Sequence, residues 1–463
     1  MQKEPRAARL PLPHFRLLTN SEIGSMACPR LHDLRYVRRL SPEQYGPSPA
    51  ARGTLMHALI AQASENDEVI DAIVRPWLEE RSHYIRKDEM GAPADDEAEE
   101  SLEDLHAQAS KTVGIYRRYA DHWRRDEFER WETIASEVQV ARVIRDEAGK
   151  PITDMDVGDD GKKRKRIYLY GGAIDRVVRD RTTGAVWLLE TKTTDETDLE
   201  GFAQKLSHDA QTRGYAWALA GLDPRYSEID SPIHVQGVIY DVIRNKLPSV
   251  PSVLVACADC KHSKKDHTPE GGCDGSKKCG CTGWRASAMS RAKSDTAHDT
   301  TWPVYRAAVE DAGLDPSEYN DIRLALQGAE SRFFLRVPYP FTTDEIDRFG
   351  AYAEAWARTA IAGEKRTRAG HIAPPNPHVC LAKSPRRCPG GYETACLMGE
   401  QDEMALTGFA PRGVRHVELR GVLAEVFATK LGEDPRSRLR IGGGVQDAKV
   451  RLENDDYPDE LPF

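Results

Sequence analysis

The chain has 463 residues, of which 40% are hydrophobic and 30% charged, and its formal net charge is -9. A chain of this length forms about three domains, or one large domain with insertions. The net charge argues against a protein that coats nucleic acid indiscriminately, because such binding depends on many Lys and Arg contacts to phosphate. No apolar run approaches the roughly 20 residues that span a bilayer, and the N-terminus lacks the apolar segment of a signal peptide, so we expect a cytoplasmic protein without membrane contact.

Helical patterns come first in chain order. Residues 21–40, "SEIGSMACPRLHDLRYVRRL", begin with Ser-Glu in N-cap order and predict a first helix, whose basic stretch "RYVRRL" could contact phosphate. The stretch "ARGTLMHALIAQA" predicts a second helix. Residues 66–134 are mostly helical, and the acidic run "GAPADDEAEE" within them is interpreted as a solvated helix face or loop.

Strand patterns follow in the middle of the chain. They start at "SEVQVARVI" and return in "IYLYGGAIDRVVRD" and "AVWLLETKT", with a turn at "RTTG". A long helix, "LEGFAQKLSHDAQTRGYAWALAG", precedes a further strand, "IHVQGVIYDVI", and residues 301–365 are helical again. This order predicts a mixed sheet in an α/β core. The basic run "GKKRKR" before the second strand is either a phosphate contact or a solvated hairpin tip.

The third strand ends in charged residues. Glu190 and Lys192 point to one face, because side chains alternate along a strand. A hairpin centred in the "RTTG" turn places Asp175 opposite Glu190, with Cβ atoms roughly 5 Å apart. A bulge at Gly184 would shift this register by one residue.

Two adjacent carboxylates repel each other unless a positive charge lies between them. Mg²⁺ takes oxygen ligands and keeps positions for a phosphate and a nucleophilic water, while Lys192 could orient that water or offset charge on the phosphoryl oxygens. The alternative is a salt-bridge set at an exposed strand end. Other residues of the chain favour the interpretation as a metal site. Gln211 and Tyr215 share a face of the following helix, and Gly53 precedes His57 by four residues in an earlier helix.

Together these motifs resemble a known family. "GTLMH", "GGAID", "ETK" and "QTRGY", in this order, are similar to the RecB-type branch of the PD-(D/E)XK nuclease superfamily, which includes CRISPR-adaptation nucleases and phage exonucleases. The resemblance spans roughly residues 21–400, although Ile174 stands where the superfamily name has proline. It implies an α/β fold with a restriction-endonuclease-like mixed-sheet core. The helical stretch before the strands is then a helical insertion, and the cysteine spacing described next predicts a zinc-binding insertion. The resemblance also implies that Mg or Mn is bound by His57, Asp175, Glu190 and the Thr191 carbonyl, that Lys192 is catalytic, and that Gln211 and Tyr215 support the site or contact DNA.

Eight of the nine cysteines lie after residue 256, and in a reducing compartment such clusters indicate metal sites rather than disulfides. In "CADCKHSKKDHTPEGGCDGSKKCGC", a Cys-x-x-Cys and a later Cys-x-Cys fit two knuckles closing on one tetrahedral Zn²⁺. A second ion or a coincidental group of thiols is the alternative. The predicted zinc ligands are Cys257, Cys260, Cys279 and Cys281, with His262, His267 and Cys273 as further candidates.

A second cysteine group is Cys380, Cys388 and Cys396. In several RecB-type nucleases a Cys-Pro in the first helix joins three C-terminal cysteines on a [4Fe-4S] cluster, and here Cys28 precedes Pro29 in the same way. The C-terminal spacings are longer than the family's usual Cys-x-x-Cys step. A zinc site, or buried cysteines acting as small hydrophobes, are the alternatives.

We therefore expect a metal-dependent DNA nuclease that hydrolyses phosphodiester bonds, with exonuclease favoured over endonuclease and a role in recombination, repair or phage genome processing by analogy. A non-catalytic nucleic-acid-binding or assembly module with the same fold, or an RNA substrate, are the alternatives. The intact Asp175, Glu190 and Lys192 set favours the enzyme. The expected segments are an N-terminal extension (1–20), the first core helices (21–60), a helical insertion (61–135), the nuclease core (136–250), the zinc-binding insertion (251–290), a C-terminal helical part with the cluster cysteines (291–400) and a weakly structured tail (401–463).

Overall fold

A seven-stranded mixed sheet with helices packed on both faces forms the core of the computed structural model. The structure describes residues 15–38, 40–42, 49–62, 66–86, 96–157, 162–251, 255–257, 286–288 and 299–376, with residues 378, 392, 396 and 409–411. The strands are β1 Phe15–Leu18, β2 Leu40–Pro42, β3 Trp131–Val143, β4 Thr153–Val157, β5 Lys163–Asp180, β6 Val186–Thr194, β7 Gly237–Arg244, β8 Val255–Cys257, β9 Ala286–Ala288, β10 Phe334–Pro340 and β11 Phe409–Pro411.

The helices lie before, within and after the strand region. They are α1 Asn20–Ser25, α2 Pro29–His32 with a π-helical turn at Asp33–Val37, α3 Pro49–Ala61, α4 Asp67–Arg86, α5 Asp96–Glu129, α6 Leu199–Leu206, α7 Ala210–Ala220, α8 Trp302–Asp311, α9 Asn320–Ala325 and α10 Thr343–Arg368. None of the helices in the described ranges is both long and apolar enough to cross a membrane.

Strand β5 is the hub of the sheet. The order is β1-β5-β6-β7-β10, and β3 and β4 also pair with β5. Strands β5 and β6 are antiparallel, β6 and β7 parallel, and β7 and β10 antiparallel, so the predicted mixed α/β core is confirmed. Val177, Leu188 and Tyr240 on one face pack against α7 and α10. Ile243 and Phe334 on the other face pack against α3, α4 and α5.

The hairpin between β5 and β6 has the predicted register. Arg176 pairs with Leu189 and Val177 with Leu188, which is the alignment that places Asp175 opposite Glu190. Gly184 adopts a φ of 74°, a left-handed conformation that glycine reaches without strain, and does not shift the register.

Three helix predictions are corrected by the structure. The predicted first helix is interrupted between Ser25 and Pro29, where α2 begins. Thr19, rather than Ser21, caps α1 by accepting the Glu22 N–H at 3.4 Å. The long helix after β6 is two helices, because the Asp209 side chain accepts the Gln211 N–H at 2.9 Å and starts α7 afresh. The helical pattern before the sheet ends earlier than predicted, since β3 begins at Trp131.

Strand β10 was predicted as helix, which is wrong. Its sequence "FLRVPYP" contains two prolines, and proline in a strand argues against a central position because it cannot donate a ladder hydrogen bond. In the described sheet β10 lies at the edge and pairs with β7 alone, where proline is tolerated. Strand β1, which runs parallel to the first half of β5, was also not predicted from the sequence.

Candidate active site

The candidate site lies where β5 and β6 separate. Their ladder runs from the pair Arg179 and Val186 to the pair Arg176 and Leu189. At the next position the Asp175 carboxylate accepts the Thr191 N–H at 2.8 Å through Oδ2. A side chain therefore continues the connection between the two strands and ties Asp175 to the backbone next to Glu190.

The backbone is irregular at this point. Ile174 and Val177 belong to the same core cluster, although strict alternation would put residues three apart on opposite faces. On the neighbouring strand β3, Glu137 lies between the pairs Ser136–Arg176 and Val138–Ile174. Its φ of 47° makes Glu137 the one non-glycine residue with positive φ in the described part of the chain. Such a conformation costs on the order of 1–3 kcal/mol, and it occurs preferentially at functional sites.

Three side chains meet at this irregularity. His57 Nδ1 lies 3.2 Å from Asp175 Oδ1, and one ligand atom each from His57, Glu137 and Asp175 lie within 4.8 Å of one another. Glu190 is outside this group, and its carboxylate contacts Lys192. One imidazole and two carboxylates form a donor set that suits Mg²⁺ or Mn²⁺, so the residues present fit a divalent ion.

Sequence reasoning missed Glu137. The only indication was a single carboxylate within the strand pattern "SEVQV", and nothing local specifies that this residue faces Asp175. That neighbourhood results from the pairing of β3 with β5.

The carboxylates of the site are poorly compensated. Burial of the carboxylate group and the charge of Asp175 raise the pKa of Glu137 to about 7, against the opposing effect of His57, although the residue as a whole is exposed. Burial likewise raises the pKa of Glu190 to about 7, although Lys192 opposes it. Burial lowers the pKa of His57, but the hydrogen bond and charge of Asp175 outweigh it and the net shift is upward. A divalent cation would relieve this excess of negative charge.

Lys192 lies on the other side of Glu190. Its Nζ donates to Glu190 Oε1 at 2.7 Å and to Gln211 Oε1 at 3.0 Å. Gln211 Nε2 in turn donates to the Tyr215 hydroxyl at 3.0 Å, so both ends of the amide are engaged. The start of α7 at Asp209 places Gln211 one turn before Tyr215.

The two glycines before Asp175 allow this packing. A Cβ on Gly172 would lie 3.1 Å from the Tyr215 hydroxyl, so the absence of a side chain lets Tyr215 approach β5. A Cβ on Gly171 would lie 2.0 Å from the Val140 carbonyl oxygen, so only glycine permits the close approach of β3 there. The pair "GG" thus serves the sheet at one position and the site at the next.

The structure brings the predicted nuclease residues together in one region. Hydrogen bonds and ion pairs join two sets of these residues. One set is His57, Asp175 and Thr191, and the other is Glu190, Lys192, Gln211 and Tyr215. The backbone of residues 190–192 connects the two sets.

Three of the predicted metal-binding cysteines lie in the described part of the chain, and none of them belongs to the group of His57, Glu137 and Asp175. Cys28 is 3% exposed and its Sγ accepts the Asn376 N–H at 3.4 Å, and Cys396 is half-buried. Cys257 ends β8, where it pairs with Ala286 of β9. The remaining predicted ligands lie outside the described residues: Cys380 and Cys388 of the second group, and Cys260, His262, His267, Cys273, Cys279 and Cys281 of the first.

Comparison of the sequence with known protein families shows to which family the chain belongs. A family model of the PD-(D/E)XK nuclease superfamily matches residues 25–389, which include the whole candidate site. The chain belongs to the PD-(D/E)XK nuclease superfamily. No curated protein matches the chain. Nucleases of the PD-(D/E)XK superfamily typically use divalent metals such as Mg²⁺ or Mn²⁺.

Proposed function

We propose that the protein is a metal-dependent nuclease that hydrolyses phosphodiester bonds of DNA. The observation that carries the proposal is the contact of His57 with Asp175 beside Glu137, joined through Thr191 to the Glu190–Lys192 pair. A salt-bridge set alone would not explain three carboxylates in one place, two of them with a pKa near 7, or a strained backbone at one of them.

The metal ligands would be His57, Glu137, Asp175 and Glu190, with the Thr191 carbonyl. The bond from the Thr191 N–H to Asp175 Oδ2 leaves Oδ1 directed at His57, so the carboxylate is oriented before any ion arrives. A bound Mg²⁺ or Mn²⁺ would neutralise the carboxylates, polarise the scissile phosphate and lower the pKa of a bound water.

Lys192 would act as a cation and not as a base. Burial lowers the pKa of Lys192, but the charge and hydrogen bond of Glu190 outweigh it, and the net shift is well upward. The ammonium therefore stays protonated at neutral pH and can offset the charge that develops on phosphoryl oxygens. Gln211 and Tyr215 would hold it in place, since Gln211 accepts from Nζ and is itself fixed by Tyr215.

The finer assignments are part of the proposal. Membership in the RecB-type branch is supported by the order of the motifs. An exonuclease mode is proposed by analogy with the phage exonucleases of that branch. A role in recombination, repair or phage genome processing is proposed by analogy.

Two further metal centres are proposed. For a [4Fe-4S] cluster on Cys28, Cys380, Cys388 and Cys396, the support is that the C-terminal segment returns to the first helices. The Asn376 side chain donates to the Ala27 carbonyl at 2.7 Å, the Tyr392 hydroxyl donates to the Leu40 carbonyl at 2.7 Å, and β11 pairs with β2. For zinc, the support is that β8 and β9 pair and hold both ends of the Cys/His segment together.

The decisive experiment is a cleavage assay on end-labelled single-stranded DNA, double-stranded DNA and RNA, with Mg²⁺, Mn²⁺ or EDTA. We expect metal-dependent DNA cleavage that Asp175→Asn lowers by about 100-fold or more, since losing a metal ligand removes several kcal/mol of charge stabilisation. Asp321→Asn, an exposed acid on α9, is the control and should match wild type. Equal cleavage by wild type and Asp175→Asn would refute the site. Metal-independent DNA binding without cleavage would identify a non-catalytic module instead.

A further inference from the structure

A buried charged cluster lies on the sheet face that packs against α3, α4 and α5, opposite the face of Glu190 and Lys192. It consists of Tyr119 and Glu127 of α5, Arg176 of β5, Asp241 of β7 and Arg336 of β10, and is called the back cluster below. Arg176 pairs with Leu189 and Asp241 with Thr191, so the cluster lies on the Leu189–Thr191 face, away from Glu190 and Lys192. The Asp241 side chain is 0% exposed, so its charge requires internal partners.

The two arginines of the back cluster share three partners, and Arg336 also contacts Asp126 Oδ2 at 3.3 Å. Arg176 contacts Glu127 Oε2 at 3.0 Å, the Tyr119 hydroxyl at 3.3 Å and Asp241 Oδ2 at 3.6 Å. Arg336 contacts Asp241 Oδ2 at 3.0 Å and the Tyr119 hydroxyl at 2.9 Å, and it also binds Glu127. The Tyr119 hydroxyl donates to Asp241. Neither guanidinium can turn away without leaving a buried carboxylate poorly paired.

Only one of these arginines adjoins the site. Arg176 directly follows Asp175, at the point where the side-chain alternation of β5 breaks. Arg336 lies on β10, which is separated from β5 by β6 and β7. Helix α5, which supplies Tyr119 and Glu127, also packs on α3, the helix that carries His57.

We propose that Arg176 is a positioning residue that, anchored in the back cluster, fixes the β5 backbone so that the Asp175 carboxylate faces His57 and the Thr191 N–H. This inference rests on the proposed function, because it assumes that Asp175 binds the ion. An irregular strand has more than one way to direct a side chain, and an anchored guanidinium on the next residue selects one of them. Its effect on the metal passes through Asp175, since Arg176 itself contacts Tyr119, Glu127 and Asp241 rather than a candidate metal ligand.

The test compares Arg176→Lys with Arg336→Lys in the full chain. Both variants keep the charge and lose the guanidinium fork in the same cluster. Arg336 has one more carboxylate partner, Asp126, so a purely structural role predicts an effect of Arg336→Lys at least as large as that of Arg176→Lys. The readout is Mn²⁺ affinity, measured from the free ion by electron paramagnetic resonance without DNA, beside the melting temperature. We expect Arg176→Lys to weaken Mn²⁺ binding about tenfold, the size typical of residues that orient a metal ligand, and Arg336→Lys to change it by less than about twofold.

Each outcome decides the inference. Equal changes in Mn²⁺ affinity for the two variants, or no change in Arg176→Lys, overturn the positioning role while leaving the proposed function intact. Asp175→Ala is measured alongside: if it binds Mn²⁺ as tightly as wild type, the proposed metal site itself fails, and the positioning role with it. If Arg176→Lys does not fold, Arg176→Gln is combined with Asp241→Asn, so that no buried Asp241 carboxylate is left without its partner. The control is then Arg336→Gln combined with Asp241→Asn. The same tenfold against twofold contrast is then expected.

Discussion

The Asp175 carboxylate accepts the backbone N–H of Thr191 at 2.8 Å, across the end of the β5–β6 ladder. Thr191 lies between Glu190 and Lys192, so this bond connects the candidate metal ligands to the candidate catalytic lysine. It also leaves the second oxygen of Asp175 for His57 at 3.2 Å. The geometry of the two halves of the site is therefore coupled through one backbone amide.

Replacing Lys192 by alanine should lower kcat by about 100- to 1000-fold and change DNA affinity little, because the ammonium acts where charge develops in the transition state. Lys205→Ala is a matched control, since Lys205 is 67% exposed and pairs with Glu196 outside the site. Single-turnover cleavage and DNA binding are measured separately. A collapse of affinity at unchanged kcat would mean that Lys192 anchors a phosphate instead.

Replacing Glu137 by glutamine should weaken Mn²⁺ binding about tenfold while leaving the melting temperature of the metal-free protein equal or higher. The physical reason is that Glu137 repels Asp175 in the absence of an ion. Calorimetric titration with Mn²⁺ and thermal unfolding in EDTA measure the two effects. Glu132→Gln, on the same strand and paired with Arg179, should change neither property of the site. Unchanged Mn²⁺ affinity in Glu137→Gln would remove Glu137 from the ligand set.

Metal affinity should rise as the pH increases from about 6 to 8 and then level off. Glu137 and Glu190 have a pKa of about 7, so both are partly protonated below pH 7 and must release protons to bind an ion. Titration calorimetry in two buffers with different ionisation enthalpies counts the released protons. Near pH 6.5 we expect net release, reduced in Glu137→Gln. Binding without proton release would contradict the raised pKa values.

The two glycines of "GGAID" should respond differently to alanine. Gly172→Ala should fold and lose about tenfold in kcat, because its Cβ at 3.1 Å displaces the Tyr215 hydroxyl and through it Gln211 and Lys192. Gly171→Ala should instead destabilise the protein by about 1–3 kcal/mol or more, because its Cβ would overlap the backbone of β3. Urea unfolding and cleavage rates distinguish the two. Similar losses of stability in both variants would show that Gly172 serves packing alone.

Two chemically different metal centres should accompany the nuclease site. Anaerobic purification should yield a brown protein with iron, sulfide and zinc, measured by visible absorption and elemental analysis. Cys28→Ser should remove the colour and keep the zinc, whereas Cys257→Ser should keep the colour and lose zinc. A colourless anaerobic protein that holds only zinc would contradict the iron-sulfur assignment.

The parts of the site that sequence predicted depend on short-range geometry. The four-residue turn after Asp180 sets the register of β5 on β6, so the alignment of Asp175 with Glu190 follows from alternation and turn length. The spacing of Gln211 and Tyr215 likewise follows from one turn of helix. Such relations hold whatever the rest of the chain does, because few backbone dihedral angles lie between the partners.

Tertiary structure decided the rest. Glu137 approaches Asp175 because β3 pairs with β5, and Arg176 is anchored by α5 and β7, which come from distant parts of the chain. No local pattern specifies those partners, since they depend on which faces of the sheet are buried and by which helices. The strained backbone of Glu137 is a consequence of the same packing, because only the surrounding strands can hold a non-glycine residue in that conformation.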